Sequence, residues 1–183
     1  MCNSNSYLST MSDMCPKYSN INKLENAVLF LKKCAMNSNM VHKHGACLLR
    51  GDKIVAVGVN KYLGINGGKI KMSVHAELDA IRYVRMPRYL KGMDILIIRV
   101  GKTTLQNSRP CNSCIDKLRQ RGIRRAYYSN SNGDIVYELI DDMPKIHCSS
   151  GNAFRLGYKC INNEWSESIA NRCNTRTPIK TNS

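Results

Sequence analysis

Long apolar runs are missing from this chain. A membrane-spanning helix needs about 20 predominantly apolar residues, whereas the longest runs here are pieces such as Ile95-Leu96-Ile97-Ile98, so no membrane partner is expected. Acidic residues are scarce too: 13 Asp and Glu stand against 28 Lys and Arg, a formal net charge of +15. That imbalance favours anionic partners, whether a nucleotide phosphate, a polynucleotide or an acidic protein surface, without choosing among them. No secretory signal is legible, so the nine cysteines read as thiols of a reducing compartment rather than a disulfide framework. A cytoplasmic location is expected. Beyond Pro144 the large side chains thin out, and Phe154, Tyr158 and Trp165 are too sparse to build a second core.

What is present suffices for one domain. In 183 residues with 43% hydrophobic side chains there is material for a single core with tails. The reading is an irregular leader over residues 1–20, a folded unit over residues 21–142 and a basic polar tail or wrap over residues 143–183. Ile21, Leu24, Val28, Leu31 and Ala35 step by three and four, the stripe of an amphipathic helix with Lys32 and Lys33 outside. Ala46 to Leu49 and Ile54 to Val57 flank the turn-rich Arg50-Gly51-Asp52-Lys53 and predict an antiparallel hairpin. Val74, Leu78, Ile81 and Val84 predict a helix ending before Pro87, its outer face carrying Arg82, Arg85, Arg88 and Lys91 as a solvated surface. Asp94 to Val100 suits a central strand buried on both faces. A helix closed by Gly122, a strand over Arg124 to Tyr128 and an Asn132-Gly133 hairpin turn complete the series.

Two short motifs carry the chemistry. His75-Ala76-Glu77 opens one helix, and Pro110-Cys111-Asn112-Ser113-Cys114 opens another. Cys111 and Cys114, at i and i+3, share one helical face; with His75 they supply three of zinc's four tetrahedral positions. The fourth is left for water, which is the layout of a catalytic rather than a closed structural site. Cys47, His42 and His44 are distant candidates for a fourth ligand. Glu77 can reach the open position without being a ligand and can shuttle a proton from water to a leaving amine. Taken alone, Pro-Cys-x-x-Cys is either a zinc knuckle or a redox pair.

Jointly, the order, separation and flanking pattern of these residues resemble the zinc-dependent cytidine and deoxycytidylate deaminase superfamily, with its H-x-E…P-C-x-x-C signature. The resemblance spans Ile21 to Leu139. It implies an α/β fold of three α/β/α layers: a mixed sheet of about five strands, helices on both faces, and the last two strands an antiparallel hairpin. It implies Zn2+ held by His75, Cys111 and Cys114, Glu77 as the catalytic acid and base, and Asn60 of Gly58-Val59-Asn60 touching the substrate sugar, although Asn also ends strands on its own account. The glycine-rich loop through Gly64, Gly67 and Gly68 should border the pocket. Where the family commonly leads into Pro-Cys with a Thr and a bulky or acidic residue, this chain has Leu105-Gln106-Asn107-Ser108-Arg109. Arg109 can pair with a substrate phosphate or be a surface charge; Asn107 and Ser108 can face base or sugar. Ala76 and Pro110 flank the ligands on the substrate side. Tyr128 or its neighbour Tyr127 can close the pocket over a base or simply pack. The hairpin lettering Tyr127-Tyr128-Ser129-Asn130…Asn132-Gly133-Asp134-Ile135 looks like deaminases of large DNA viruses, which would place the protein in host cytoplasm or virion.

The expected function is hydrolytic deamination of a cytosine nucleotide or nucleoside, of the dCMP to dUMP type, by a homo-oligomer or larger assembly. Two alternatives remain: a cytosine or adenine deaminase acting on RNA or single-stranded DNA, and a non-catalytic binding or virion protein that keeps zinc for folding. Cationic residues group at Arg82 to Lys91, Lys117 to Arg125 and the C-terminal tail without the interleaved aromatics of a stacking platform. Only weak, non-specific nucleic-acid binding is therefore expected.

Overall fold

The computed structural model describes residues 23–63 and 73–149. The leader, the glycine-rich loop at residues 64–72 and the tail from residue 150 lie outside the described residues. Helix α1 (Lys23–Ala35) is followed by strands β1 (Lys43–Arg50), β2 (Lys53–Val59), β3 (Lys61–Tyr62) and β4 (Ser73–Val74). Then come helix α2 (Ala76–Arg82), a 3-10 turn (Pro87–Tyr89), β5 (Asp94–Val100), β6 (Leu105–Gln106), helix α3 (Asn112–Gln120), β7 (Arg125–Ser129) and β8 (Ile135–Leu139). The main sheet runs in the order β2-β1-β5-β7-β8, with β6 paired to β5, while β3 and β4 form a separate two-stranded ribbon. β5 is parallel only to β7; every other pairing is antiparallel. The mixed sheet and the terminal hairpin expected from the sequence are thus present, and no described helix is long and apolar enough to cross a membrane.

Strand alternation divides the core in two. Ala46, Leu48, Ile95, Ile97, Ala126 and Tyr128 face α2 and α3, where they meet Ala80, Ile115 and Leu118. Cys47, Leu49, Leu96 and Ile98 face the other way, onto Ala27, Val28 and Leu31 of α1. The Leu31 stripe is therefore the buried face of α1, and Cys47 lies in the layer opposite α2 and α3. Gly122, at φ 70°, ends α3 in the left-handed conformation that glycine adopts without strain. The last hairpin turn is longer than a two-residue loop. It spans Asn130 to Asp134, because the Asn130 carboxamide oxygen accepts the N–H groups of both Asn132 and Asp134.

One expectation changes. α2 stops at Arg82, short of Val84, with the Val84 N–H bonded to the Ile81 carbonyl in a tighter turn. Arg85, Arg88 and Lys91 consequently lie beyond the helix, in a connector whose turn opens at Pro87, and not on one helical face. The stretch from residue 143 begins against α3: Met143 is buried, Lys145 pairs with Asp116 at 2.6 Å, and Arg119 Nη2 donates to the Ile140 carbonyl at 2.8 Å.

α2 lies unusually close to β2. A Cβ on Gly58 would stand 2.1 Å from the Ala80 nitrogen and 2.4 Å from the Ala76 oxygen, both backbone atoms of α2. At Gly45 the nearest atom is instead a movable one, Leu31 Cδ1 at 3.0 Å. Gly58→Ala should cost at least the upper end of the roughly 1–3 kcal/mol typical of overpacking, and Gly45→Ala should cost less. Equilibrium denaturation of the two variants measures this; equal losses would show that α2 yields easily.

Candidate functional site

His75 and Cys111 each occupy the N-cap position of a helix. His75 (φ −74°, ψ 151°) precedes α2 and Cys111 (φ −73°, ψ 163°) precedes α3, and neither side chain bonds back to its own helix. Their carbonyls accept the first intrahelical bonds, from Asp79 and Ile115, which is the usual role of an N-cap backbone. The side chains that would ordinarily cap are thereby free to point at one another. His75 Nδ1 lies 3.6 Å from Cys111 Sγ and 3.2 Å from Cys114 Sγ.

All three donor atoms lie within 4.8 Å of one another. Tetrahedral zinc with ordinary Zn–S and Zn–N bonds puts N and S about 3.5 Å apart, so the triad fits the ion. Among the described residues it is the cluster compatible with Zn2+; Cys47, His42 and His44 do not join it, which leaves a three-ligand set. The three groups are tightly coupled and share protons that a bound metal would displace. The Cys111 thiol is lowered to about 3, chiefly by a hydrogen bond from Cys114 and then by His75, while His75 is raised to about 9 by its bond to Cys111. Cys114 is pushed well above its ordinary value by Cys111 and by burial.

Glu77 stands in the first turn of α2 and is 6% exposed. Burial raises its pKa, opposed by the charge of His75. Ala76, between ligand and acid, is buried.

The other predicted residues are mostly engaged in holding the backbone. The Asn60 carboxamide oxygen accepts the His44 N–H (2.8 Å) and the Ser38 hydroxyl (2.7 Å), and its amide donates to the His42 carbonyl (2.6 Å). Buried Ser108 donates to the Ile97 carbonyl at 2.9 Å and accepts the Ser129 N–H at 2.9 Å, so it clamps the loop to β5 and β7. Asn107 is exposed and accepts the Arg109 N–H in a local turn at 3.0 Å. Arg109 forks onto Glu138 at 3.0 and 3.1 Å, donates to the Pro144 carbonyl, and shares Glu138 with the Tyr128 hydroxyl. Pro110 is fully buried. Of the two tyrosines, Tyr128 is on the metal face, and Tyr127 packs on the far face at 5.7 Å from Tyr137.

Two residues, Arg99 and Asn112, had no role in the sequence reading, and His44 entered it only as a distant ligand candidate. His44 alternates with Ala46 and Leu48, which puts it on the metal face of β1. Burial lowers its pKa to about 4, with Arg99 and His75 adding to the effect. Arg99, opposite His44 in the β1–β5 register, donates to His42 Nδ1 at 3.1 Å. Asn112, between the cysteine ligands, pairs twice with the His147 backbone, at 2.8 and 3.0 Å. The strand alternation was available for His44 and Arg99; nothing local announced Asn112.

Residues 19–130, more than half of the chain, match the family described as cytidine and deoxycytidylate deaminase zinc-binding region. None of the curated proteins matches the chain. Among solved structures, a cytidine deaminase from Burkholderia pseudomallei is similar at 19% identity and TM-score 0.51, covering 64% of this chain and 93% of that one. A dCMP deaminase from the cyanophage S-TIM5, in complex with dCMP and dUMP, is similar at 19% identity and TM-score 0.44, covering 62% and 85%.

Metal analysis of the wild type should give one zinc per chain, and Cys111→Ser should lower that occupancy and the melting temperature together, because metal binding is coupled to folding. Full occupancy in the variant would remove Cys111 from the ligand set. The Arg109–Glu138 pair predicts a pH effect. Arg109 lowers the Glu138 pKa below its ordinary 4.5. The pair's contribution is complete above that unfolded value and disappears as pH falls through the folded one. Glu138→Gln should therefore be less stable than wild type at neutral pH and converge with it in acid. A stability difference independent of pH would mean that charge is not what Glu138 contributes.

Proposed function

The chain belongs to the family of zinc-binding cytidine and deoxycytidylate deaminases, and from that premise we propose that it hydrolyses the 4-amino group of a cytosine nucleotide, of the dCMP to dUMP type. The observation that carries this reading is the buried Glu77 beside an imidazole and two thiols grouped for one ion. His75, Cys111 and Cys114 would hold zinc, which supplies a fixed Lewis acid able to activate water near neutral pH. Glu77 moves the protons of the attacking water, one to ring N3 and one to N4, so that the C4–O bond forms, the C4–N4 bond breaks and ammonia departs. Burial suits Glu77 to both halves of that transfer, because a carboxyl with a raised pKa is a better acid partner for a leaving amine near neutrality.

The substrate side is shaped largely from behind. Asn60, Ser108 and Arg109 fix the strand ends and the loop that carries Pro110 and Cys111, while Ala76 and Tyr128 pack on the metal face. The net charge of +15 favours a phosphorylated substrate over a bare nucleoside.

The test is a zinc-replete panel of dCMP, CMP, deoxycytidine and cytidine, followed by release of ammonia. Turnover of dCMP above the nucleosides is expected, and Glu77→Gln should lower it by about 100-fold or more while zinc content stays at the wild-type level. Failure to deaminate any of the four would end this reading.

A further inference from the structure

The two helix starts that carry the site sit at one end of the sheet. α2 and α3 start at the triad and run away from it, so their C-termini reach the opposite end. There β1 ends, β2, β5 and β7 begin, and the connector between α2 and β5 crosses. The strand registers fix this: Leu49 lies opposite Asp94, and Asp94 opposite Arg125. The Gly92 N–H bonds to the Gly122 carbonyl at 2.8 Å and ties the connector to the end of α3. Arg50, from the end of β1, donates to the Tyr89 carbonyl at 2.7 Å.

Residues 82–91 read Arg-Tyr-Val-Arg-Met-Pro-Arg-Tyr-Leu-Lys. Leu90 and Met93 anchor the segment in the core, whereas Tyr83, Met86 and Tyr89 are 48%, 46% and 48% exposed. The Arg82 guanidinium, held by Asp79 at 2.8 Å, lies 5.2 Å from the centre of the Tyr83 ring. Arg88 lies 5.3 Å from the centre of the Tyr89 ring. The expectation that no aromatic interleaves with the cations is thus corrected: two tyrosines stand in the run, each with a guanidinium against it and each half open to solvent. Favourable charge at a helix C-terminus explains Arg82 but not Arg85, Arg88 or Lys91, which lie outside α2. Among the described residues Arg50, Arg85, Arg88, Lys91 and Arg121 have no carboxylate partner.

We propose that this end of the domain, remote from the triad, binds single-stranded nucleic acid: bases stack on Tyr83 and Tyr89, and Arg85, Lys91 and their neighbours take the phosphates. Unpaired cations beside solvent-open rings on an anchored segment are the two components by which proteins hold a single strand without reading its sequence. A duplex keeps its bases stacked internally and offers the rings nothing, so charge complementarity together with the exposed rings selects the single strand over a duplex or an acidic protein. The site is independent of the deamination chemistry.

The experiment is a fluorescence-anisotropy titration of the full chain with labelled 12-mers of thymidylate and of uridylate and with a 12-base-pair duplex, across a salt series. Binding of either single strand in preference to the duplex is expected. Tyr83→Ala/Tyr89→Ala should weaken it by about tenfold or more with the salt slope unchanged. Arg85→Gln/Lys91→Gln should lower the log-log salt slope by about 1.4, two phosphate contacts at about 0.7 each. Lys32→Gln/Lys33→Gln removes the same charge from α1, across the sheet, and should change neither quantity. Photocrosslinking of an iododeoxyuridine 12-mer to the wild type, which needs no variant to fold, should label Tyr83 or Tyr89. Wild-type affinity in the double tyrosine variant, equal losses from the α1 control, equal binding of the duplex, or crosslinks confined to residues 150–183 would each overturn the proposal.

Discussion

The metal triad depends on how closely α2 can lie on β2. His75 and the two cysteines come from different helices with nothing covalent between them for more than 30 residues, so their 3.2–3.6 Å separations are set by where each helix rests on the sheet. α2 has only seven residues, too short to persist alone, and takes its position from tertiary contacts. Gly58 lets its backbone approach to a distance no side chain would permit. Asp79 then fixes the rotation: its buried carboxylate accepts the Val59 N–H at 3.1 Å and pairs with Lys61 at 3.0 Å. The N-cap and first turn of α2 thus carry His75 and Glu77, while Asp79 locks the same short helix to the strand beneath.

The few acidic residues are used in a consistent way. Asp79 joins α2 to β2 and β3, Asp94 ties the start of β5 to Arg124 and Arg125, Glu138 holds Arg109 ahead of the metal loop, and Asp116 receives Lys145 from the segment after β8. Each carboxylate bridges elements distant in sequence. The exposed pair among them, Lys145 with Asp116, contributes little to stability alone, and its value is positional.

The fold was legible wherever one period dominated. The three- and four-step stripe ending at Ala35 and the apolar run from Ile95 to Ile98 gave α1 and the central strand, and the joint motif gave the triad and Glu77. Boundaries were read less well. α2 was extended to Val84 because Ile81 and Val84 have helical spacing, but the chain had already tightened into a turn. The roles assigned around the pocket rested on which residue types can bind a substrate. Ser108 and Asn60 proved to have partners supplied by strands far away in sequence, and no local pattern reports a hydrogen bond from residue 108 to residue 97. Arg99 was read as the end of an apolar strand, although the alternation that buries Ile95 and Ile97 places it on the metal face.

Polarity of the two helices connects the ends of the molecule. Because α2 and α3 both begin at the triad, their N-terminal N–H groups and positive dipole ends face the thiolate and the carboxyl, where negative charge is to be stabilised. The same direction puts both C-termini at the opposite end, where basic residues are favourable, and Arg82, Lys117 and Arg119 occupy the last turns. A right-handed α/β arrangement with β5 parallel to β7 requires the intervening α3 to return over the sheet from one end to the other. The ligand-bearing loops therefore gather where the parallel strands finish, and the connectors that lead into those strands gather where they start. The triad at one end and the connector with its cations at the other are thus separated by one topological choice.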